Sequence, residues 1–211
     1  MKNLSFNFYE DQVTGIIGHN GAGKTTTTLM LCGLYPPTSG TASMLGYDLC
    51  YEIDKIHSIL GFCPQYDILY DDLTVQEHLE LIALIKGYSL GQVRKEVVRI
   101  ATLVGLSGDL KKKAVKLSGG MKRRLMVGMA FTGDSKIIIL DEPTSGLDPF
   151  NRLKFWELIR FYKKGRTIIL TTHFMEGKSP TLSQLQKCTN ACIGHISAKS
   201  SEYSVVRAFL K

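Results

Sequence analysis

The fold of this chain is decided by the stretch Gly18-His19-Asn20-Gly21-Ala22-Gly23-Lys24-Thr25. It matches the pattern G-x-x-x-x-G-K-[ST], in which glycines let the backbone wrap closely around phosphate oxygens. The β-branched residues 13–17 before it predict a buried strand, and residues 26–32 after it predict a helix. Because a helix N-terminus carries partial positive charge, we expect a phosphate-binding loop here. Lys24 would reach the phosphates, and the Thr25 hydroxyl would ligate Mg²⁺.

The composition indicates one folded domain. The chain has 211 residues, of which 44% are hydrophobic and 21% are charged, as is usual for a globular domain. No apolar run approaches the roughly 20 residues that a membrane-spanning helix needs, and no secretory signal is visible. The five scattered cysteines are typical of reduced thiols in a cytosolic compartment.

The net charge of +7 comes partly from three short basic clusters at residues 111–113, 122–124 and 163–164. We interpret these clusters as solvated surface. Attraction to anionic lipid headgroups, to nucleotide or to nucleic acid is the alternative, and the clusters are too short to decide between them.

Several apolar runs predict the strands of an α/β fold. Alternation of Leu4, Phe6 and Phe8 predicts a half-buried strand. Residues 136–140 and 167–172 are nearly continuous Ile/Leu runs, as expected of parallel strands covered on both faces, and a predicted helix at 150–162 makes them a βαβ crossover. Shorter strands are predicted at 41–45 and 59–63.

The middle of the chain, residues 65–131, predicts a helical insertion between strands. Thr74 and Glu77 have the spacing of a capping box that opens a helix to about residue 86, and Ser89 with Gln92 repeats that spacing. One apolar helical face, which we expect to be core, follows at Val93, Val97, Ile100 and Val104.

Two carboxylates end the apolar run at residues 137–142. Asp141, at the strand tip beside the phosphate loop, would hold Mg²⁺, and Glu142 would orient or deprotonate an attacking water. Taken alone, an Asp-Glu pair at a strand end is equally well explained as a satisfied turn. Its combination with the phosphate loop favours the functional interpretation.

A second glycine-rich helix start lies at Leu117-Ser118-Gly119-Gly120-Met121. A serine and two glycines at a helix N-terminus form a second anion-binding nest. One nucleotide rarely needs two such nests from one chain, so the second would serve a nucleotide held by a partner. Plain N-capping by Ser118 is the structural alternative.

Taken together, these stretches closely resemble the nucleotide-binding domain of ATP-binding cassette (ABC) transporters over roughly residues 3–176. Residues 18–25 resemble the Walker A motif, and residues 137–142 resemble Walker B with its catalytic glutamate. The remaining family motifs are matched by the Q-loop glutamine Gln65, the signature motif at 117–121, the D-loop at 145–148 and the switch histidine His173. Residues 33–40, 63–65 and 122–124 look like the eukaryotic A subfamily, whose members mostly move lipids.

The resemblance implies an α/β P-loop NTPase (RecA-like) parallel-sheet core with an inserted helical subdomain. It implies an ABC ATPase domain at 1–176, with the core at about 1–64 and 132–176 and the helical subdomain at about 65–131. Residues 177–211 would be a divergent tail without regular structure.

The resemblance also assigns site residues. ATP and Mg²⁺ are the implied cofactors, with Thr25, Gln65 and Asp141 holding the metal and Glu142, His173 and Lys24 acting in catalysis. The implied ATP-binding residues are Gly18, His19, Asn20, Gly21, Ala22, Gly23, Lys24, Thr25, Thr26 and Gln65. The residues implied to meet the partner's nucleotide are Leu117, Ser118, Gly119, Gly120 and Met121, and Asp148 would shape the dimer face.

The implied function is ATP hydrolysis that drives transport, of lipid in this subfamily, through a head-to-tail dimer of two such domains. The implied partners are that second domain and the transmembrane domains, with this domain on the cytoplasmic side of a membrane and no nucleic acid expected. Two departures from the family stand out: Tyr9 lies too close to the phosphate loop to stack on adenine, and residues after 176 leave the family pattern. The alternatives are a non-transporting ABC-type ATPase on nucleic acid or ribosomes, and a truncated, non-catalytic fragment.

Overall fold

A computed structural model describes residues 4–172 and 206–210. Within these residues the chain forms two four-stranded sheets and six α-helices. The strands β1–β8 are Leu4–Phe8, Gln12–Ile17, Gly40–Met44, Tyr47–Asp48, Leu60–Cys63, Ile137–Asp141, Thr167–Thr172 and Val206–Leu210. The helices α1–α6 are Lys24–Leu31, Ile53–Ile59, Val75–Ile85, Leu90–Leu103, Gly119–Phe131 and Pro149–Tyr162.

The first sheet is parallel throughout, with strand order β2-β7-β6-β5. The predicted βαβ crossover is confirmed, since β6 and β7 are parallel neighbours connected through α6. Parallel strands end at the same edge of a sheet. This edge therefore collects the phosphate loop after β2, Gln65 after β5 and the two carboxylates at the end of β6.

Both faces of the parallel sheet are covered, as its near-continuous apolar strands predict. In β6, Ile138 and Leu140 belong to a core shared with α3–α6, whereas Ile137 and Ile139 belong to a second core with Leu31 of α1. This division follows from the two-residue period of a strand. Each fully buried side chain of this size contributes about 1.5–3 kcal/mol, so β6 is anchored from both sides.

The second sheet is antiparallel, with order β1-β8-β3-β4. In β1 the predicted alternation is confirmed, because Phe8 is buried whereas Ser5 and Asn7 are exposed. The strand β8 lies within 177–211, where the sequence predicts a divergent tail without regular structure. Residues 206–210 nevertheless pair with both β1 and β3, and the rest of that tail lies outside the described residues.

The helical middle of the chain has the predicted helix starts. At α3 the Glu77 N–H donates to Thr74 Oγ1 at 3.2 Å, and the Thr74 N–H donates to Glu77 Oε2 at 2.7 Å. At α4 the Ser89 N–H donates to Gln92 Oε1 at 3.0 Å. The expected apolar face of α4 is also confirmed, since all four of its residues are buried, namely Val93, Val97, Ile100 and Val104.

The sequence did not predict α2 or β4. The helix α2 has seven residues and no side-chain cap at its N-terminus, so it lacks the usual local start signal. Its C-terminal end is held from a distance: Lys86 Nζ, on the residue that ends α3, donates to the His57 carbonyl at 2.7 Å. Short elements stabilised by such tertiary contacts leave little local signal in a sequence.

Candidate functional site

The phosphate loop lies between β2 and α1, as predicted. Gly21 and Gly23 have φ angles of 81° and 90°, a left-handed conformation that favours glycine. Gly23 is the N-cap of α1, and no side chain caps that helix start. The loop thus presents a helix N-terminus whose first N–H groups are available to an anion.

Lys24 opens α1 and is almost fully buried. Its ammonium donates to the carbonyls of Gly18 at 2.8 Å and His19 at 3.2 Å, so the lysine folds back over its own loop. Lys24 Nζ also lies 4.0 Å from Glu142 Oε1. The structure therefore brings together the phosphate loop and the predicted catalytic glutamate, which are far apart in the sequence.

Asp141 is the last residue of β6 and is 1% exposed. The Thr171 hydroxyl of the neighbouring strand donates to Asp141 Oδ1. The other carboxylate oxygen, Oδ2, is buried and has no hydrogen-bond partner among the residues described. A buried carboxylate oxygen without a donor is costly, and a hard cation such as Mg²⁺ would satisfy it.

Glu142 has a φ of 48° and is buried. Its backbone N–H donates to Thr171 Oγ1 at 3.0 Å. A left-handed conformation at a non-glycine residue is strained and is often found at functional sites. Glu142 is the first residue after β6, so its backbone turns away from the strand that Asp141 ends.

Gln65 is exposed two residues after β5. In the sheet register, Cys63 of β5 pairs with Leu140 of β6, so Gln65 follows the strand next to the one that ends at Asp141. Burial raises the pKa of the Cys63 thiol to about 11, which keeps this neighbour of Gln65 neutral at physiological pH. Thr25 is exposed in the first turn of α1.

The glycine-rich stretch at 117–121 opens α5, as predicted. Ser118 is its N-cap, and the Ser118 hydroxyl accepts the Met121 N–H at 3.3 Å. Leu117 is buried beneath this helix start, whereas Ser118 and Gly119 are exposed. No hydrogen bond or ion pair found within 4–172 connects the 117–121 segment to the phosphate loop.

The D-loop residues lie beside this second helix start. A Cβ on Gly120 would be 3.9 Å from a Leu147 side-chain carbon and equally far from the Asn151 amide nitrogen. Asp148 caps α6, since its carboxylate accepts the Asn151 N–H at 3.2 Å. Hydrogen bonds from Asn151 lower the pKa of Asp148, which keeps it ionised. His173, predicted as the switch histidine, lies outside the described residues.

Two residues at this site are absent from the sequence-based predictions. One is Thr171, which contacts both Asp141 and Glu142. The other is Arg123, which belongs to a cluster interpreted as solvated surface. That interpretation is wrong for Arg123, which is 4% exposed. A helical spacing that places it on one face with the buried Val127 and Ala130 could have indicated this.

The arrangement can bind a phosphate-rich anion at α1 with Lys24 as counter-charge, hold a cation at Asp141 and keep a buried carboxylate at Glu142. The described residues contain no cluster of three or more His, Cys, Asp or Glu side chains that could hold a metal. Nor do they include any helix with the length and apolar character that crossing a membrane demands.

Comparison with known families supports this interpretation of the motifs. A family model described as "ABC transporter" matches residues 1–145. The chain is 49% identical over 176 residues to ATP-binding cassette sub-family A member 2 of Rattus norvegicus, covering 83% of this chain and 7% of that protein. It is 48% identical over 176 residues to the Homo sapiens Phospholipid-transporting ATPase ABCA3, covering 83% of this chain and 10% of that protein.

Solved structures share the fold. A structure of the ATP-binding subunit of an ABC transporter superposes with a TM-score of 0.73 at 32% identity, covering 81% of this chain and 71% of that one. A dimeric, post-hydrolysis structure of the ATP-binding cassette MJ0796 bound to ADP and Pi gives 0.74 at 27% identity, with coverages of 80% and 77%. The predicted fold, a P-loop NTPase with a parallel-sheet core, is therefore confirmed.

The curated relatives also confirm the predicted subfamily, because sub-family A members are among those that match at 47–49% identity. The chain spans only about a tenth or less of the length of these relatives. The six motif stretches, the sheet order and the family match over residues 1–145 lead to one conclusion: this chain belongs to the ABC transporter family.

Proposed function

We propose that this chain binds and hydrolyses MgATP and that hydrolysis drives the movement of lipid by a membrane transporter. The observation that carries the proposal is the junction between the phosphate loop and the end of β6. There the Lys24 ammonium lies 4.0 Å from the Glu142 carboxylate, beside the buried, half-satisfied carboxylate of Asp141. The names of two relatives, Phospholipid-transporting ATPase ABCA3 and Retinal-specific phospholipid-transporting ATPase ABCA4, support the choice of lipid.

ATP would bind with its phosphates on the N-terminus of α1. Lys24 would exchange its bonds to the neutral Gly18 and His19 carbonyls for bonds to negatively charged phosphate oxygens, in which both partners carry charge. The other residues that we expect to contact ATP are His19, Asn20, Gly21, Ala22, Gly23, Thr25, Thr26 and Gln65. The source of adenine stacking stays unassigned.

Asp141, Thr25 and Gln65 fit a Mg²⁺ site. Each offers an oxygen ligand of the kind that Mg²⁺ prefers, and Asp141 supplies a buried oxygen that has no partner among the described residues. The bound ion would neutralise charge on the β- and γ-phosphates. The hydrogen bond from Thr171 fixes the Asp141 carboxylate, so this residue would be in place before the nucleotide arrives.

Glu142 would orient the attacking water and accept its proton. Its burial and its position beside Lys24 keep the carboxylate close to where the γ-phosphate would sit. His173 is proposed to hold the same water and the γ-phosphate. Such a general base contributes about 10²–10⁴-fold to a rate.

The partners are proposed from two surfaces. Ser118 and Gly119 are exposed at the start of α5 and would meet the nucleotide of a second domain in a head-to-tail dimer, with Asp148 shaping the same face. Two solved neighbours are described as dimeric. Such a dimer would place ATP between the two chains, so that hydrolysis weakens their association.

Transmembrane domains are the second proposed partner. The loop after Gln65 exposes Tyr66, Ile68 and Tyr70, and Tyr66 is 76% exposed. Exposed apolar and aromatic side chains in one loop are typical of an interaction site. This loop directly follows a proposed metal ligand, so it could carry nucleotide state to a membrane domain. The ATPase domain would then lie on the cytoplasmic side.

The experiment that tests the proposal is the substitution Glu142→Gln. We expect Mg²⁺-dependent ATP hydrolysis to fall at least about a hundredfold, with MgATP affinity retained within about twofold by calorimetry. Glu157→Gln is the control, since Glu157 is exposed on α6. If Glu142→Gln hydrolyses ATP as fast as this control, the role assigned to Glu142 is wrong.

A further inference from the structure

Arg123 lies in α5, five residues after the N-cap Ser118, and its side chain is buried against the backbone next to Gln65 and Glu142. All five N–H donors of its guanidinium are matched by backbone carbonyls. Nη1 donates to the carbonyls of Pro64 at 2.6 Å and Gln65 at 3.3 Å. Nη2 donates to the carbonyls of Asp141 at 2.7 Å and Glu142 at 2.9 Å, and Nε donates to the carbonyl of Pro143 at 3.1 Å.

These five carbonyls belong to the last residue of β6 and to the residues that directly follow β5 and β6. The pairing of β5 with β6 ends at Cys63 and Leu140, so beyond that register these two segments no longer bond to each other, although Asp141 still lies opposite Thr171 of β7. Buried carbonyls need donors. One guanidinium supplies all of them, so its planar fork fixes the spacing between the backbone at Gln65 and the backbone at Glu142.

From this geometry we infer that Arg123 is a positioning residue that locks the Gln65 loop and the Asp141–Glu142 turn into one rigid unit with α5. The inference rests on the proposed function for its effect on hydrolysis, but the clamp itself is a property of the backbone. Because α5 begins at Ser118, a shift of this helix start against a partner would move both segments together. Glu142 gains the most, since its left-handed backbone needs outside support.

Arginine is required for geometric reasons. A lysine at 123 keeps the positive charge but has only three donors on a single nitrogen, so it cannot serve two separated groups of carbonyls. No carboxylate among the described residues forms an ion pair with Arg123. Any loss of activity on substitution should therefore come from the lost hydrogen bonds to carbonyls and not from a lost salt bridge.

The neighbouring Arg124 provides a matched control. Its Nη1 also donates to two carbonyls, those of Val104 at 3.2 Å and Gly105 at 3.0 Å. These lie at the end of α4, away from the nucleotide site. Arg123→Lys and Arg124→Lys therefore each replace a guanidinium that donates to backbone carbonyls from neighbouring positions of α5, and only the first should change catalysis.

We expect Arg123→Lys to bind MgATP within about threefold of the wild type and to lose roughly tenfold to a hundredfold in kcat, because Glu142 and the Gln65 loop are no longer held in register. Arg124→Lys should keep kcat within about twofold. Rates are corrected for the folded fraction by thermal unfolding. Equal kcat in the two variants, or an equal loss in both, would overturn the inference.

A second measurement uses the unmodified chain and does not depend on the variant folding. Hydrogen exchange should show amides of 65–67 and 141–145 opening with the same free energy, because one side chain holds both. Independent opening would contradict the clamp. Should the wild type exchange in this concerted way yet hydrolyse no ATP, the proposed function fails and the clamp stands. Should it hydrolyse ATP while the two segments open independently, the proposed function stands and the clamp fails.

Discussion

The helices α1 and α5 both begin at a glycine-rich stretch, but their first turns are completed differently. At α1 the N-cap Gly23 has no side chain, and no side chain caps the helix. At α5 the N-cap Ser118 satisfies the Met121 N–H with its own hydroxyl. The first helix start therefore leaves donors available for an anion, whereas the second is already stable without one.

The side chains around the two helix starts also differ. Lys24 and Glu142 lie 4.0 Å apart beside α1, together with a carboxylate that one threonine holds in place. Beside α5 the residues near Gly120 are Leu147 and Asn151, which carry no charge. One chain thus brings a lysine and two carboxylates together at an uncapped helix start at α1 and presents an exposed helix start capped by Ser118 at α5. A nucleotide shared between two copies would need one of each.

The largest expected effect comes from removing the cation at the first helix start. Lys24→Ala should weaken MgATP binding about a hundredfold, since charge-assisted hydrogen bonds contribute about 1.5–3 kcal/mol each. Calorimetry measures this directly. Lys111→Ala, which removes an exposed lysine, should leave the affinity unchanged. Equal affinities in the two variants would mean that Lys24 contributes nothing to MgATP binding at α1.

The next prediction concerns Asp141, the proposed Mg²⁺ ligand beside the first helix start. Asp141→Asn keeps an oxygen for the Thr171 hydroxyl but removes the charge that Mg²⁺ needs, so we expect the Mg²⁺ concentration for half-maximal ATP hydrolysis to rise about tenfold. The free energy of unfolding should not fall, because a buried carboxylate oxygen without a partner is replaced. A loss of stability with unchanged Mg²⁺ dependence would instead make Asp141 a structural residue.

What the sequence predicted, and what it missed, follows the same division between local and distant contacts. The phosphate loop, the capping boxes at Thr74 and Ser89 and the strand β6 are encoded within a few neighbouring residues, and all were predicted. The contacts of Arg123 with Pro64 and of Thr171 with Asp141 span 59 and 30 residues. No local spacing indicates such contacts, because they depend on which strands become neighbours in the sheet.

A smaller effect, on stability, is expected from the glycine at the first helix start, and a glycine near the start of α4 serves as its control. Gly23 has a φ of 90°, so Gly23→Ala should cost about 1–2 kcal/mol or distort the loop. Gly91, near the start of α4, has open space around its Cα and an ordinary backbone, so Gly91→Ala should stabilise the fold by about 0.5–1 kcal/mol. Chemical denaturation should show a lower free energy of unfolding for Gly23→Ala and a higher one for Gly91→Ala. Changes of the same sign would mean that the loop does not require a glycine at position 23.

The smallest effect on folding distinguishes the two roles of Ser118. Ser118→Ala and Thr74→Ala each remove a side-chain cap from a helix, so each should cost about 1 kcal/mol of stability. If Ser118 were only a cap, the two variants would behave alike in every assay. If α5 meets a partner's nucleotide, only Ser118→Ala should weaken the MgATP-dependent dimer, measured by light scattering in the Glu142→Gln background. Because the two caps cost the same, a difference in dimerisation cannot come from stability. Weaker dimerisation of Ser118→Ala alone would therefore indicate contact with the second chain. Equal dimerisation of the two variants would mean that Ser118 is only a helix cap and that α5 does not meet a partner's nucleotide.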